Sequence, residues 1–174
     1  MPYSTQEGKT EFLLPAVLDL NTRGPVSSVL DIGPGCGTYA DLLRPRLSAR
    51  FTAIEIFEPY VSRFRLNRKY DEIILGDARE VEFPDVDLVI LGDVLEHMEV
   101  TDALTVWDKA RGAARLGVLL SLPIVVFEQG CVDGNEHEAH LHHWTHNEVL
   151  TLLPGIYKSW TGSIVGCYLG SPTD

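Results

Sequence analysis

The chain has 174 residues, 45% of them hydrophobic, and this length suits one domain with one core. Its net charge of -11 argues against a broad nucleic-acid-binding face, which would need clustered positive charge. The three cysteines form no CxxC pair, the first nine residues do not resemble a signal peptide, and no apolar run is long enough to cross a bilayer, so we expect a cytoplasmic protein that does not enter a membrane.

The first 24 residues predict an N-terminal arm and a helix. Residues 1–10 are polar and predict a loose arm, while apolar residues recur at helical spacing from Glu11 to Leu20. We expect a single domain that covers residues 1–174. Within it we predict a cofactor-binding core over 25–122, a substrate lid over 123–146, and a C-terminal helix and hairpin over 147–174.

Strand patterns alternate with helical patterns through the core. The predicted strands are Val29–Ile32, Phe51–Ile56, Glu72–Leu75, Asp87–Leu91 and Val118–Leu122. The predicted helices are Thr38–Leu47, Pro59–Lys69 and Thr101–Ala114. This alternation predicts an α/β fold with a doubly wound, mostly parallel sheet that is buried on both faces.

The C-terminal segment predicts one helix and one hairpin. Thr145 and Glu148 have the spacing of a capping box that opens a helix to Leu153. Two short strand patterns, Tyr157–Thr161 and Ile164–Leu169, then flank a Gly-Ser turn. The hairpin predicts an antiparallel strand at one edge of the sheet.

A glycine-rich turn follows the first predicted strand. Gly33, Gly35 and Gly37 alternate with other residues, and glycine lets backbone N–H groups approach a ligand closely. The dinucleotide fingerprint would place a further glycine where Thr38 stands. Asp31, just before the turn, opposes a pyrophosphate but suits a cationic ammonium or sulfonium group. The turn therefore favours a nucleotide-type ligand without a pyrophosphate.

Two further carboxylates follow neighbouring predicted strands, where ligands bind in open α/β sheets. Glu55, at the end of the second strand, could accept both hydroxyls of a ribose. Asp77, at the end of the third, could accept from an exocyclic amine such as that of adenine. Together with Asp31, they describe a ligand that carries adenosine.

These motifs identify a resemblance that runs from Val29 to about Leu122. They are Leu-Asp-Ile-Gly-Pro-Gly-Cys-Gly, Ala-Ile-Glu-Ile-Phe-Glu-Pro, Leu-Gly-Asp-Ala and Leu-Val-Ile-Leu-Gly-Asp-Val-Leu-Glu-His. The chain resembles a class I S-adenosylmethionine-dependent methyltransferase of the small-molecule type. The resemblance implies a three-layer α/β/α fold whose seven-stranded sheet has the order 3-2-1-4-5-7-6, with the last strand antiparallel.

The resemblance also implies a cofactor, S-adenosylmethionine, and a product, S-adenosylhomocysteine. It assigns the methionine part to the Gly33–Gly37 turn, the ribose to Glu55 and the adenine amine to Asp77. Further residues expected to contact the cofactor are Asp31, Ile56, Ala78, Gly92 and Asp93.

Candidate catalytic residues follow from position. A hydroxyl acceptor needs help to lose its proton, and His97 lies just past the fourth strand, where Glu96 could orient it. Five of the six histidines lie in the segment 135–146, and in the family this position commonly faces the acceptor. We therefore add His140 and His143 to the candidate catalytic residues.

The same histidines allow a metal hypothesis, which the spacing does not favour. An HExxH motif is absent, because His140 follows the His137-Glu138 pair one residue too early. Asp93 could be one magnesium ligand, but no convincing second or third ligand accompanies it. We therefore predict no metal site.

The predicted function is methyl transfer to an oxygen or nitrogen of a small metabolite or a glycan or nucleotide-sugar precursor. The segment directly after the fourth strand, Gly92-Asp93-Val94, contains neither an Asn/Asp-Pro-Pro-Tyr/Phe motif nor a cysteine, so a nucleic-acid substrate is a minor alternative, as is a protein substrate. A second hypothesis is an inactive methyltransferase-like domain that only binds cofactor or a partner. Thr38 and Asp31 disfavour a dinucleotide-dependent oxidoreductase. A homodimer is possible.

Overall fold

A seven-stranded sheet forms the centre of the computed structural model, which describes residues 4–173. Its strands are β1 Ser28–Ile32, β2 Arg50–Glu55, β3 Glu72–Leu75, β4 Val86–Gly92, β5 Ala114–Pro123, β6 Ile156–Thr161 and β7 Val165–Gly170. Their order is β3-β2-β1-β4-β5-β7-β6, with parallel pairing from β3 to β5. β7 runs antiparallel to both of its neighbours, β5 and β6. The predicted fold class and strand order are confirmed.

Helices flank the sheet. They are α1 Leu14–Arg23, α2 Thr38–Leu43, α3 Pro59–Arg63, α4 Val100–Ala113 and α5 His146–Leu152. A π-helical turn, Lys9–Leu13, precedes α1, and 3-10 turns occur at Leu66–Arg68, Leu95–His97 and Glu136–Glu138. Within residues 4–173, no helix is both long and apolar enough to cross a membrane.

The core lies on both faces of the sheet. Leu30 of β1 belongs to the hydrophobic cluster on one face, and its neighbour Val29 belongs to the cluster on the other, as the alternation of side chains along a strand requires. Every residue of β4 is buried. The continuous apolar strands that predicted a doubly covered sheet are explained by this arrangement.

Two helices are shorter than predicted. α2 ends at Leu43 rather than Leu47, because Pro45 has no N–H to donate and its ring would clash with the preceding turn. α3 ends at Arg63 rather than Lys69, since Arg65 takes a left-handed conformation with φ 53° that starts a separate 3-10 turn. The predicted capping box of Thr145 and Glu148 is confirmed.

The N-terminal arm is held against the sheet more closely than predicted. Lys9 is buried, and its Nζ donates to Ser4 Oγ over 2.6 Å. The carboxylate of Glu7 accepts hydrogen bonds from the backbone N–H groups of residues 163–165 in the β6–β7 turn. The prediction of a loose arm is therefore wrong for residues 7–9, while its first three residues lie outside the described part.

Candidate active site

The glycine turn joins β1 to α2 in a backbone conformation with positive φ, which residues with a side chain rarely adopt. Gly33, Gly35 and Gly37 have φ values of 62°, 51° and 83°. A Cβ on Gly33 would lie 2.8 Å from Val94 Cγ2, and one on Gly37 would lie 2.6 Å from Lys69 Cδ. The positive φ favours glycine at all three positions, and at Gly33 the contact with Val94 also leaves no space for a side chain, so the turn leaves bare backbone at the end of β1.

An open cleft of about 830 Å³, including the solvent at its mouth, lies at the carboxyl ends of β1, β2 and β4. The predicted cofactor residues that line it are Gly33, Gly35, Glu55, Ile56, Asp77, Gly92 and Asp93. Gly37 and Ala78 do not line it. Gly37 caps α2, and the carbonyl of Ala78 accepts a hydrogen bond from Lys109 Nζ over 2.7 Å. We call this space the first cleft.

Asp31 is buried and does not line the first cleft. Its Oδ2 accepts a hydrogen bond from the Tyr70 hydroxyl over 2.5 Å, while Oδ1 has no hydrogen-bond partner among the described residues. Burial raises the pKa of Asp31 to about 7, against the opposing effects of the Tyr70 hydroxyl and Lys9. The Asp31 carboxyl group in β1 is thus buried without enough hydrogen bonds to compensate for its loss of solvation.

Glu55 and Asp77 both line the first cleft but differ in environment. Glu55 is 3% exposed, its Oε1 accepts from Phe57 N over 2.8 Å, and burial raises its pKa to about 7. Asp77 is held by the guanidinium of Arg79, whose Nε lies 2.9 Å from each carboxylate oxygen, and this pairing lowers its pKa. Arg79 also reaches Asp102. A ligand that approaches Asp77 therefore meets a carboxylate with an existing cationic partner.

Sequence reasoning missed the residues that close the first cleft from the lid side. Asn135, His137 and Glu138 line it together with Tyr60 of α3. The Tyr60 hydroxyl donates to Glu138 Oε1 over 3.0 Å, which links α3 to the lid. Tyr60 follows Pro59, the first residue of α3, and this aromatic residue at the start of a helix was the available signal for it. No local pattern predicts that the lid folds back against the first cleft.

A second cleft of about 780 Å³, again including open solvent, adjoins the first. The two share Asp93 and His97. The other residues that line the second cleft are Thr5, Glu96, Pro123, Phe127, Gln129, His140, Ile164 and Val165. Its walls therefore come from the lid, the β6–β7 turn and the N-terminal arm, and they combine apolar surface with a few polar groups.

Three of the four candidate catalytic residues meet between the clefts. Glu96 and His97 lie in the 3-10 turn after β4, and the His140 ring packs against the His97 ring with centroids 4.8 Å apart. Burial lowers the pKa of His97 to about 4 and also lowers that of His140. His143 lies outside this group, since its ring centroid is 6.5 Å from that of His140 and it lines neither cleft.

Glu96 and Asp93 have buried carboxylate oxygens that lack hydrogen bonds. Glu96 is 1% exposed, neither of its oxygens has a partner among the described residues, and burial raises its pKa well above the usual range. Asp93 accepts from Ser4 Oγ at Oδ2, but its Oδ1 has no described partner. Its φ of 58° is uncommon for a residue other than glycine. Strain and unmade hydrogen bonds coincide at the end of β4, as is common at functional sites.

Comparison with known proteins identifies the family of this domain. The sequence profile of a methyltransferase domain family matches residues 30–122, which hold the glycine turn, Glu55, Asp77 and the turn after β4. No curated protein sequence matches the chain.

Several solved structures share its fold. The PH0226 protein from Pyrococcus horikoshii OT3 is 18% identical, with 97% of this chain and 92% of that chain covered and a TM-score of 0.68. Magnesium protoporphyrin IX methyltransferase (ChlM) from Synechocystis PCC 6803, solved with S-adenosylhomocysteine, is 16% identical, with 94% and 84% covered and a TM-score of 0.65. The N-terminal domain of EvdMO1, also solved with S-adenosylhomocysteine, is 14% identical, with 98% and 83% covered and a TM-score of 0.67.

Proposed function

This chain belongs to the methyltransferase domain family, a family of enzymes that use S-adenosylmethionine, and from that membership we propose that it methylates a hydroxyl group of a small acceptor bound in the second cleft. The observation that carries the proposal is the contact between the clefts. Asp93 and His97 belong to both walls, so a cofactor in the first cleft and an acceptor in the second would meet there.

The first cleft fits the cofactor in shape and charge. Its glycine turn leaves room for backbone approach, and the buried Glu55 carboxyl group faces the space where a ribose would be held. The carboxyl group of Asp93 also lines the first cleft and suits a positively charged ligand. When bound, S-adenosylmethionine supplies an electrophilic methyl group attached to a cationic sulfur.

The second cleft favours a compact acceptor with an apolar body. Phe127, Ile164 and Val165 offer apolar surface, while Gln129 and the two imidazoles could fix the orientation of a polar group. Binding in such a pocket holds the acceptor oxygen near the boundary and excludes competing water.

The histidines where the two clefts meet favour a hydroxyl acceptor over an amine. A hydroxyl must lose its proton as the new bond forms, whereas a neutral amine can attack without a base. His97 and His140 are neutral near pH 7 because burial lowers both pKa values. They are therefore able to act on a hydroxyl group through a nitrogen lone pair.

The test is methyl transfer from radiolabelled S-adenosylmethionine to panels of phenols, sugars and amines, with the full chain free of any tag. We expect transfer to hydroxyl acceptors. The variant Ile164→Trp should fill the second cleft and raise the acceptor KM at least tenfold without changing cofactor affinity. Leu150→Trp is the matched control, because Leu150 is similarly exposed and lines neither cleft.

Two results would contradict this proposal. Transfer to amines alone would overturn the hydroxyl assignment. Tight cofactor binding with no transfer to any acceptor would favour the alternative of an inactive cofactor-binding domain.

A further inference from the structure

We propose that Glu96, His97 and His140 form a binding site for one divalent transition-metal ion, such as Zn²⁺, Mn²⁺ or Fe²⁺, between the two clefts. Each of the three side chains offers a ligand atom, and the three atoms lie within 4.8 Å of one another. Glu96 and His97 come from the turn after β4, whereas His140 comes from the lid. The three residues have no sequence motif in common, which explains why their spacing did not reveal a site.

The hydrogen bonds of the two histidines leave one nitrogen atom of each ring free for a metal. His97 Nδ1 lies 3.2 Å from the carbonyl oxygen of Ala139, and His140 Nδ1 lies 2.7 Å from that of Phe127. A carbonyl oxygen only accepts, so each Nδ1 must carry the proton. Each neutral ring then presents an unprotonated Nε2. Metal-binding histidines are typically oriented by such a second hydrogen bond.

Glu96 supplies an independent observation that points to a ligand. Its side chain is 1% exposed, and neither carboxylate oxygen has a hydrogen-bond partner among residues 4–173. A buried carboxylate without a partner is costly, and a bound cation removes that cost. Its backbone carbonyl accepts from Leu141 N over 2.8 Å, so the lid is anchored to the same residue.

The surrounding charge also favours a cation. Asp93 lines the same cleft, and its Oδ1 is a further buried oxygen without a described partner. Lys9 lies beside Asp93. The carboxyl groups of Asp93 and Glu96 line the same cleft, and a divalent ion bound there would compensate buried oxygen atoms that have no described hydrogen-bond partner.

The donor set selects the class of metal. Two imidazoles and one carboxylate suit Zn²⁺, Mn²⁺, Fe²⁺ or Co²⁺, whereas Mg²⁺ and Ca²⁺ prefer oxygen ligands. Three protein ligands also leave at least one coordination position open, as in catalytic rather than structural sites. The open side of this site faces the second cleft, which His97, Glu96 and His140 all line.

The role of the ion rests on the proposed function, although its binding does not. Because the ion would take the Nε2 lone pairs of His97 and His140, the ion itself, and not the two imidazoles, would activate the acceptor hydroxyl. It would lower the pKa of a hydroxyl at the open position as it does that of water, so that the proton would pass to solvent through the open cleft and the electron pair would stay on the oxygen. The oxidation state of the metal does not change.

The test is equilibrium binding of metal to the tag-free full chain after treatment with a chelator. We expect one equivalent of Zn²⁺ or Co²⁺ by calorimetry, with Co²⁺ giving the visible absorption bands of a site that contains imidazole. Mg²⁺ should bind at least 100-fold more weakly. His140→Ala and Glu96→Gln should each weaken binding of Zn²⁺ about 10- to 100-fold, as expected for the loss of one ligand.

The lid provides a matched control. His143→Ala removes a neighbouring histidine that lies outside the cluster, and it should still bind one equivalent of Zn²⁺. Because Glu96 is buried, circular dichroism must show that Glu96→Gln is folded, and the half-buried His140 gives a second variant if it is not. No binding by the wild type, or unchanged binding by a folded His140→Ala variant, would overturn the proposal.

Measurements of metal binding and of methyl transfer distinguish failure of the metal proposal from failure of the proposed function. Metal-independent methyl transfer would leave the proposed function intact and remove the role of the ion. One bound ion without any methyl transfer would keep the metal site and contradict the proposed function.

Discussion

The two clefts are built from different parts of the fold. The first lies on strand ends, where Gly33 follows β1, Glu55 ends β2 and Gly92 ends β4. The second is formed largely by connecting segments, namely Phe127, Gln129 and His140 of the lid and Ile164 of the β6–β7 turn. Under the proposed function, the strand ends would bind a cofactor that many enzymes share, and loops that are free to differ between proteins would bind the acceptor.

We expect the largest effect from a substitution in the glycine turn of the first cleft. Gly33→Ala puts a Cβ 2.8 Å from Val94 Cγ2 at a φ of 62°. We expect at least a 100-fold loss of S-adenosylmethionine affinity, because clash and backbone strain each cost on the order of 1–3 kcal/mol. Calorimetric titration measures the change. Gly134→Ala is the control, since Gly134 has a φ of 82° but no atom within 4 Å of its added Cβ. Equal losses in both variants would show that strain alone is responsible.

Glu55→Gln tests the ribose contact. Loss of hydrogen bonds to a charged acceptor should weaken the cofactor Kd about 10- to 100-fold. The wild type should also depend on pH, because its Glu55 has a pKa of about 7 and only the ionised form accepts both hydroxyls. Affinity should fall about tenfold from pH 8 to pH 6, and the Gln variant should have a flat profile. A wild-type profile that does not change over this range would rule out the contact.

Asp31→Asn should stabilise the protein without cofactor at neutral and higher pH. The pKa of Asp31 rises from 3.8 to about 7 on folding. Between these values the folded state binds more protons than the unfolded state, so the free energy of unfolding falls as pH rises. Above pH 7 the variant should be more stable by about 4 kcal/mol, and below pH 4 the difference should vanish. Thermal or urea unfolding across this range measures it, and a destabilised variant at pH 8 would contradict the argument.

The smallest expected effect concerns the connection between the clefts. Tyr60→Phe removes the hydroxyl that donates to Glu138 Oε1 over 3.0 Å. The loss of one hydrogen bond costs about 1 kcal/mol, so kcat/KM for the acceptor should fall about 3- to 10-fold. Tyr157→Phe, at a half-exposed position on β6, should match the wild type. An unchanged kcat/KM for Tyr60→Phe would show that this contact does not position the lid.

The strand-end residues of the first cleft could be predicted from the sequence, whereas most contacts among the loop residues of the second cleft could not. Continuous apolar strands and the glycine turn are local signals, and they placed Glu55 and Gly33 correctly at the carboxyl ends of strands. The strand order followed from the family resemblance. Pro45 was an equally local signal that should have shortened α2. The positive φ of Arg65, which ends α3 early, has no such signal in the sequence.

The residues of the second cleft could not be predicted in the same way, because contacts between segments far apart in the sequence bring them together. The meeting of His97 with His140, and of Tyr60 with Glu138, is fixed by how the lid folds back over the sheet. No periodicity describes that path, because the lid is irregular for most of its length. Its histidines could be named as candidates from composition, but the selection of His140 over His143 required the structure.

The most direct measurement is calorimetric titration of the tag-free chain with S-adenosylmethionine and, separately, with NAD. The glycine turn, the buried Glu55 and the carboxyl group of Asp93 predict one site for S-adenosylmethionine with a micromolar Kd and no binding of NAD. Failure to bind S-adenosylmethionine, or equal binding of NAD, would contradict the assignment of the first cleft.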